Sequence, residues 1–530
     1  SFAVWSWTDP CSLRTIAEAR RVTRSINEIG AGLAPSRPGS PLVLPLTLHI
    51  VGIGGTAATG AALHAAALGA LVTGCDSHLS RETALILEAA GVKVSDESDL
   101  APASRATLVA VSKAITSTQP DHPQLHAARA AGVPIVSLQQ VIADAAASRG
   151  GPLLGVAGTH GKTTSTGWLL AALRASGRDP SAFVGGPLPA GQGSPAGSPI
   201  RLGGEQGFIV EADEYGGNFD PYAADAALIL NVDWDHPDIF ADRAAAVATF
   251  AAWGAPVLER GALVVNVADA GGAEVATALK QHDTGNVIRY AVRPHGRAET
   301  VADVTADLEL VSAGAVQLSN LTLSERGGRL APALAELQGK TLTIGLLGAH
   351  NAANALGVAT LAATSGGTGA GIAAALADYP GVGRRMEVRY DQNGFTVLDD
   401  YGHHPTAIDA TISTVRLRYP GRPLILAIEP LTYHRTAALL PALARSCATA
   451  DRVAVAEIFA VRDTDLTITS AAKLAAAISA LGTEAEAPGS VEVTADAIYA
   501  ALPDGAVVLV MGGGRSTDLA TRLAAALSAR

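Results

Sequence analysis

Residues 153–173 read LLGVAGTHGKTTSTGWLLAAL: an apolar run, a glycine loop ending in Gly-Lys-Thr-Thr, then a helix-forming run. A strand that feeds a helix through a tight loop is half of a strand–helix–strand unit. Such units build parallel sheets whose two faces are both covered. The loop supplies Gly158, Thr159, Gly161, Lys162, Thr163 and Thr164. Glycines at such a place let backbone N–H groups turn onto phosphate oxygens, and the following helix aims its positive end at the same anion. Lys162 is expected to reach the terminal phosphates of a nucleotide, and Thr163 to offer a hydroxyl to Mg2+. Val156 stands where the general phosphate-loop pattern has its first glycine, so the generic match is incomplete. The plain alternative is a glycine turn before a helix.

The same alternation runs along most of the chain. LTLHIVGIGG, ALVTGCD, ATLVAVS and VPIVSL are strand-like runs separated by alanine-rich helical stretches, the pattern of a doubly wound parallel sheet. A second unit begins near Pro152, with strands at LLGVAG, GFIVEAD, AALILNVD, VQLSNLTLSE and LTIGLLG and a long loop over GGPLPAGQGSPAGSPIRLGGEQG. A third begins near Gly381, with strands at FTVLDD, PLILAIEP, RVAVAEIF and AVVLVMGGG. The chain of 530 residues is too long for one core. It is read as an α/β protein of three domains: a Rossmann-like domain over 46–150, a central phosphate-loop domain with a parallel sheet over 151–380, and a Rossmann-like domain over 381–530. Residues 1–45 form an extension, with a helix expected from about Ser12 to Ile29 and a Pro/Gly-rich linker after it.

Composition limits the function classes. A net charge of −11 argues against a general nucleic-acid or membrane-surface binder, and no run of strongly apolar residues is long enough to span a bilayer. Three cysteines, Cys11, Cys75 and Cys447, have no paired spacing and suit a reducing cytoplasm rather than a disulfide framework or zinc site.

Further loops at strand ends carry chemistry. HIVGIGGTAATG holds Gly52, Gly54 and Gly55 in a dinucleotide-type glycine turn, and Asp76 ends the next strand where a ribose-binding acid is expected. Alone, this turn reads as a nicotinamide dehydrogenase or simply as close helix–strand packing. In FIVEADEY, Glu211, Asp213 and Glu214 follow an apolar strand, and Glu211 is the favoured Mg2+ ligand. His236 lies among carboxylates in LILNVDWDHPDIF, suited to metal or phosphate contact. Asn351 and Asn354 share one helix face in GAHNAANAL, where amides either pair with adenine or cap the helix. In VLDDYGHHPTAIDATISTV, Pro405 opens a helix whose apolar stripe is Ile408, Ile412 and Val415. Asp399, Asp400, His403 and His404 there match no closed metal site.

Taken in order from about Leu48 onward, HIVGIGG, GCD, AGTHGKTT, EADEY, DWDHPD, GAHNAANAL, GVGRRMEV, DDYGHHPTAI and YHRT resemble the Mur ligase family, most closely its alanine-adding branch. That family's phosphate loop tolerates a residue such as Val156. The resemblance implies an ATP- and Mg2+-dependent ligase in peptidoglycan precursor synthesis. It would join L-alanine to the lactyl carboxylate of UDP-N-acetylmuramate through an acyl phosphate, in the cytoplasm, as a monomer or homodimer. It further implies that Gly158, Thr159, Gly161, Lys162, Thr163, Thr164, Asn351, Asn354, Arg385 and Asp400 bind ATP. Thr163, Glu211 and His236 would hold metal, and Gly52, Gly54, Gly55 and Asp76 the UDP-sugar. His403, His404 and Arg435 would line the amino-acid entrance, with Lys162, Glu211, His236, His403 and Arg435 as the catalytic set. The chain departs from the branch at Ala57, Ala58 and Thr59 and at Glu429-Pro430-Leu431, whereas Ala251 in place of a carbamylated lysine fits it. The competing readings are a relative that ligates a recycled murein tripeptide and a non-catalytic nucleotide sensor.

Overall fold

The computed structural model describes residues 29–189, 197–283, 285–294, 301–311, 314–460, 463 and 465–530. The helix expected from Ser12, apart from Ile29, lies outside them, as do Cys11 and part of the loop expected over 185–207. Among the described residues, 21 strands form three sheets, one for each α/β unit.

The first sheet is wholly parallel. Its strands are β1 (Thr47–Val51), β2 (Leu71–Cys75), β3 (Lys93–Ser95), β4 (Leu108–Val111) and β5 (Ile135–Ser137), in the order β3-β2-β1-β4-β5. The crossover between β1 and β2 is helix α1 (Thr56–Ala67). Its run of alanines and glycine lets it press against the next domain. A Cβ at Gly60 would stand 2.6 Å from the Phe183 ring, and His64 Nε2 donates to Ala182 O across 3.1 Å. A larger residue at position 60 would push these two domains apart.

The central sheet is built on β6 (Leu153–Ala157), which lies between β9 (Phe208–Ala212) and β10 (Ala226–Ile229), parallel to both. Parallel pairing continues through β11 (Leu263–Asn266), β12 (Val287–Pro294) and β13 (Val304–Leu310). The expected parallel sheet is therefore its middle. One edge ends in the antiparallel strands β14 (Val316–Leu323) and β15 (Leu342–Ile344), and the other in β7 (Ser181–Phe183) and the two-residue β8 (Ile200–Arg201). β8 lies inside the stretch read as loop, where Pro- and Gly-rich neighbours mask so short a strand. Helix α2 (Lys162–Ala175) and helix α3 (Ala349–Thr364) cover the central strands. Trp168 of α2 is wholly buried, donates Nε1–H to Ala375 O at 2.8 Å and stacks on Tyr379.

The third sheet comprises β16 (Glu387–Gln392), β17 (Phe395–Asp400), β18 (Leu424–Glu429), β19 (Arg452–Ala456), β20 (Glu484–Gly489) and β21 (Val507–Gly512), ordered β16-β17-β21-β18-β19-β20. Only the β16–β17 hairpin is antiparallel. Apolar clusters fill both faces. Helix α4 (Pro405–Arg418) buries the stripe Ile408, Ile412 and Val415, as its sequence requires. Among the described residues, no helix is long and apolar enough to cross a membrane.

Candidate active site

The strand ends of the central sheet face the third domain, and the residues singled out in the sequence meet there. Eighteen α-helices are described, and three begin at a glycine that offers no side-chain cap: Gly55 at α1, Gly161 at α2 and Gly348 at α3. An uncapped helix start keeps N–H donors available to an anion. Gly161 has φ 82°, a left-handed conformation that favours glycine, and a Cβ there would stand 2.9 Å from Asn354 Nδ2. At Gly158 a Cβ would meet Leu230 Cβ at 3.0 Å. The loop is thus a cradle of bare backbone.

Lys162 Nζ donates to Gly158 O and to Glu214 Oε2, both at 2.8 Å, with Asp213 Oδ1 at 3.5 Å. Burial alone would lower this amine, but the carboxylates of Glu214, Asp213 and Glu211 raise it above the ordinary lysine range, so it stays an ammonium. The Thr163 hydroxyl donates to Glu211 Oε1 at 3.1 Å, and Gly185 N–H donates to Glu211 Oε2 at 2.7 Å. Burial lifts the Glu211 carboxyl, against the pull of Lys162. Two hard oxygen donors beside a phosphate cradle are the ligand chemistry of Mg2+.

A cavity of about 500 Å³ opens between the central and third domains. Gly161, Thr164, Asn351, Asn354, Arg385 and Asp400 all line it. Asn351 Nδ2 donates to Leu347 O at 2.8 Å, and Asn354 stands 3.5 Å from Asn351 Oδ1, so the two amides form one wall. Arg385 lies over the Tyr401 ring, and Asp400 accepts from Met386 N–H at 2.9 Å and Gly402 N–H at 2.7 Å. Arg384 and Met386 flank Arg385 with φ 57° and 54°, strained for residues with side chains. The inter-domain link is thus held in an unfavourable turn that presents Arg385 to the cavity.

The loop after β10 carries a second cluster. Arg435, at the start of the short helix Tyr433–Ala438, donates through Nε and Nη2 to Asp235 at 2.6 and 3.1 Å. Its Nη2 also stands 3.2 Å from His236 Nδ1. Arg435 holds the Asp235 carboxyl well below the usual carboxylate range, despite burial that opposes this. The edge of Arg435 suited to a two-pronged grip on a substrate carboxylate is therefore occupied by Asp235, while buried Nη1 makes no hydrogen bond. His236 has φ 54° and meets the Tyr215 ring edge-on. Nδ1 of His403 donates to Tyr401 O at 2.9 Å, leaving Nε2 as the basic nitrogen, and burial keeps this imidazole neutral by holding it well below its usual value. His404 caps α4 and reaches Trp234 O with Nε2 at 3.2 Å.

In the first domain, Gly52 has φ 73°, and Gly54 N–H donates to Asp76 Oδ2 at 2.8 Å while His78 N–H donates to Oδ1 at 2.8 Å. Asp76 thus secures the glycine turn. Glu429, which departs from the family pattern, accepts from Ser516 N–H at 2.8 Å and Gly514 N–H at 3.2 Å, so it anchors the loop after β21. Sequence reasoning missed the Lys162–Glu214 and Arg435–Asp235 pairs, because partners 52 and 200 residues apart leave no local signal.

Comparison with known proteins agrees with this layout. Residues 47–149 match the description "Mur ligase family, catalytic domain", 156–362 "Mur ligase middle domain" and 384–514 "Mur ligase, glutamate ligase domain". The chain is 33% identical over 480 residues to the UDP-N-acetylmuramate–L-alanine ligase of Chloroflexus aggregans, covering 90% of this chain and 98% of the relative. It is 34% identical to the enzyme of that name from Acidothermus cellulolyticus, over 89% and 92% of the two chains. In fold it is similar to the UDP-N-acetylmuramate-alanine ligase of Thermotoga maritima, with a TM-score of 0.71 at 20% identity over 91% of this chain and 99% of that one. The murein peptide ligase of Psychrobacter arcticus gives a TM-score of 0.65 at 24% identity, over 91% and 98%.

Proposed function

The chain belongs to the Mur ligase family, and we propose the following division of labour for its reaction, the ATP-dependent ligation of L-alanine to UDP-N-acetylmuramate in peptidoglycan synthesis. Residues 46–150 bind the UDP-sugar, 151–380 bind ATP, and 381–530 bring the amino acid. The observation that carries this reading is the single cavity lined jointly by the phosphate-loop helix, the Asn351/Asn354 wall, Arg385 and Asp400.

ATP supplies a phosphoryl group that turns the unreactive lactyl carboxylate into an acyl phosphate. The loop from Gly158 to Thr164 orients the phosphates through backbone N–H groups, and the Lys162 ammonium offsets charge on the transferring group. Thr163 and Glu211 would hold Mg2+ through their oxygens, with His236 proposed as the third ligand. Arg435, whose Nε and Nη2 are held by Asp235, is the proposed partner for the carboxylate of alanine through its remaining Nη1. His403 Nε2 is proposed to accept a hydrogen bond from the amine and orient it; a free amine of pKa about 8 already holds some neutral form at neutral pH, so a strong base is not required. Closure of the third domain over the central one excludes water that would hydrolyse the acyl phosphate. The proposed setting is the cytoplasm.

The test is release of inorganic phosphate from ATP by the purified chain. The reading expects release only when UDP-N-acetylmuramate, L-alanine and Mg2+ are all present. Release at the same rate without the sugar nucleotide would overturn it.

A further inference from the structure

Three ligand-type side chains from separate parts of the chain converge where the central and third domains meet. His160 comes from the phosphate loop, Asp233 from the loop after β10, and His404 from the start of α4. Each offers one ligand atom, and these atoms lie within 4.8 Å of one another. Asp233 Oδ2 stands 3.7 Å from both His160 Nε2 and His404 Nδ1. Ligands about 2.0–2.2 Å from a shared tetrahedral ion stand about 3.3–3.5 Å from each other, so the gap to close is small.

The surrounding hydrogen bonds decide which atoms face inward. His404 Nε2–H donates to Trp234 O at 3.2 Å, which leaves the lone pair on Nδ1; Thr406 N–H donates to it from 3.3 Å as the cap of α4, a long hydrogen bond that a cation would replace. Asp233 Oδ1 accepts from Trp234 N–H at 2.8 Å and Oδ2 accepts from the Thr406 hydroxyl at 2.6 Å. His160 is clamped through its backbone by Asn231, at 2.8 and 3.0 Å, while its buried Nε2 makes no direct hydrogen bond. Carbonyl and hydroxyl groups that orient the ligands are what metal centres use around their first contacts.

We infer that His160, Asp233 and His404 form a binding site for a divalent transition cation such as Zn2+, which ties the third domain to the central one. Two imidazoles and one carboxylate suit Zn2+ or Co2+ and not Mg2+, which takes an all-oxygen shell. The site is separate from the Thr163–Glu211 oxygens. His160 and Asp233 also line the cavity between the central and third domains, so binding of the cation would oppose domain opening.

The experiment uses the full chain, stripped with a chelator and titrated with Co2+, read by the visible spectrum and by Zn2+ competition. The expected result is one equivalent of Co2+ with the spectrum of an imidazole-ligated ion, displaced by Zn2+ and not by excess Mg2+. His404→Ala and Asp233→Asn should weaken binding about tenfold or more, as ligand-shell changes do. Glu211→Gln should bind Co2+ unchanged. Circular dichroism checks each variant's fold, and His160→Ala replaces His404→Ala if that variant fails to fold. The absence of an imidazole-type spectrum overturns the proposal, as does unchanged binding in folded His404→Ala or His160→Ala. Loss of binding in Glu211→Gln alone overturns it too, since Co2+ would then occupy the oxygen site.

Discussion

Arg435 of the third domain and Asp235 of the central domain, 200 residues apart, form a buried two-pronged ion pair with contacts of 2.6 and 3.1 Å. It joins the central and third domains and brings Arg435 to within 3.2 Å of His236. Removing one partner of such a pair leaves the other charge buried and unpaired, at a cost of about 3–5 kcal/mol. Asp235→Ala is therefore expected to loosen the docking of the third domain, seen as faster proteolysis between residues 381 and 387, and to lower kcat/KM for the amino acid. Arg435→Lys should rescue little, since an ammonium cannot span both oxygens. An Asp235→Ala variant with unchanged proteolysis and kinetics would show the pair to be incidental.

Lys162→Met removes the ammonium from the phosphate cradle, and a loss of about 10²–10³ in kcat is expected. The fold should survive. Burial already lifts the Glu214 carboxyl, so Glu214 can take up a proton once its partner is gone. Near-normal turnover would contradict the role given to the loop.

Gly54→Val separates the two glycine loops. A Cβ at Gly54 would lie 2.9 Å from Asp76 Oδ2, so the valine displaces the carboxylate that secures the turn. KM for the sugar nucleotide should rise strongly while KM for ATP holds. A rise for ATP alone would mean that the two sites are exchanged.

Stability should fall as pH drops below about 6.5. Burial lowers His49 to about 4, and lowers His64 to about 3. A histidine whose folded value is depressed favours the native state only while it is neutral. Its contribution is full above the unfolded value of about 6.5 and is lost as the unfolded chain takes up protons below it. Urea unfolding at pH 7 and pH 5 checks this. His64→Gln, which keeps a donor for Ala182 O, should flatten the pH dependence between those values.

His236→Ala tests the third proposed Mg2+ ligand. Mg2+ dependence and acyl-phosphate formation should weaken together. An unchanged Mg2+ titration would leave His236 a structural part beside Arg435, Asp235 and Tyr215.

Much of the architecture was legible because it is local. The phosphate loop, the stripe on α4 and the glycine turn after β1 each encode a strand–loop–helix within about a dozen residues. The edge strands β5 and β15 were read from VPIVSL and LTIGLLG, but other edge strands were not. β3, β8 and β20 are short or carry Gly, Pro and charged residues, and their pairing comes from neighbours in space. The same holds at the site. Lys162, Asn354 and Arg385 stand out from their own motifs, whereas Glu214 acquires meaning only once the central sheet is folded, and Asp235 and the His160–Asp233–His404 group only once the third domain is docked. His404 carried one readable hint, since a histidine directly before Pro405 at a helix start can cap it; the sequence did not say that its other nitrogen would reach Trp234.

The central claim is tested most directly by competition among amine substrates with UDP-N-acetylmuramate and ATP. The measurement is kcat/KM for L-alanine, glycine, L-serine and an L-Ala-γ-D-Glu-containing tripeptide. One methylene is worth only about 1–3 kcal/mol, so glycine and serine should react, but more slowly than alanine. Alanine is predicted to have the highest value of the four. A tripeptide preferred by about tenfold, a gap of about 1.4 kcal/mol, would contradict the account and mark the chain as a ligase of recycled peptide.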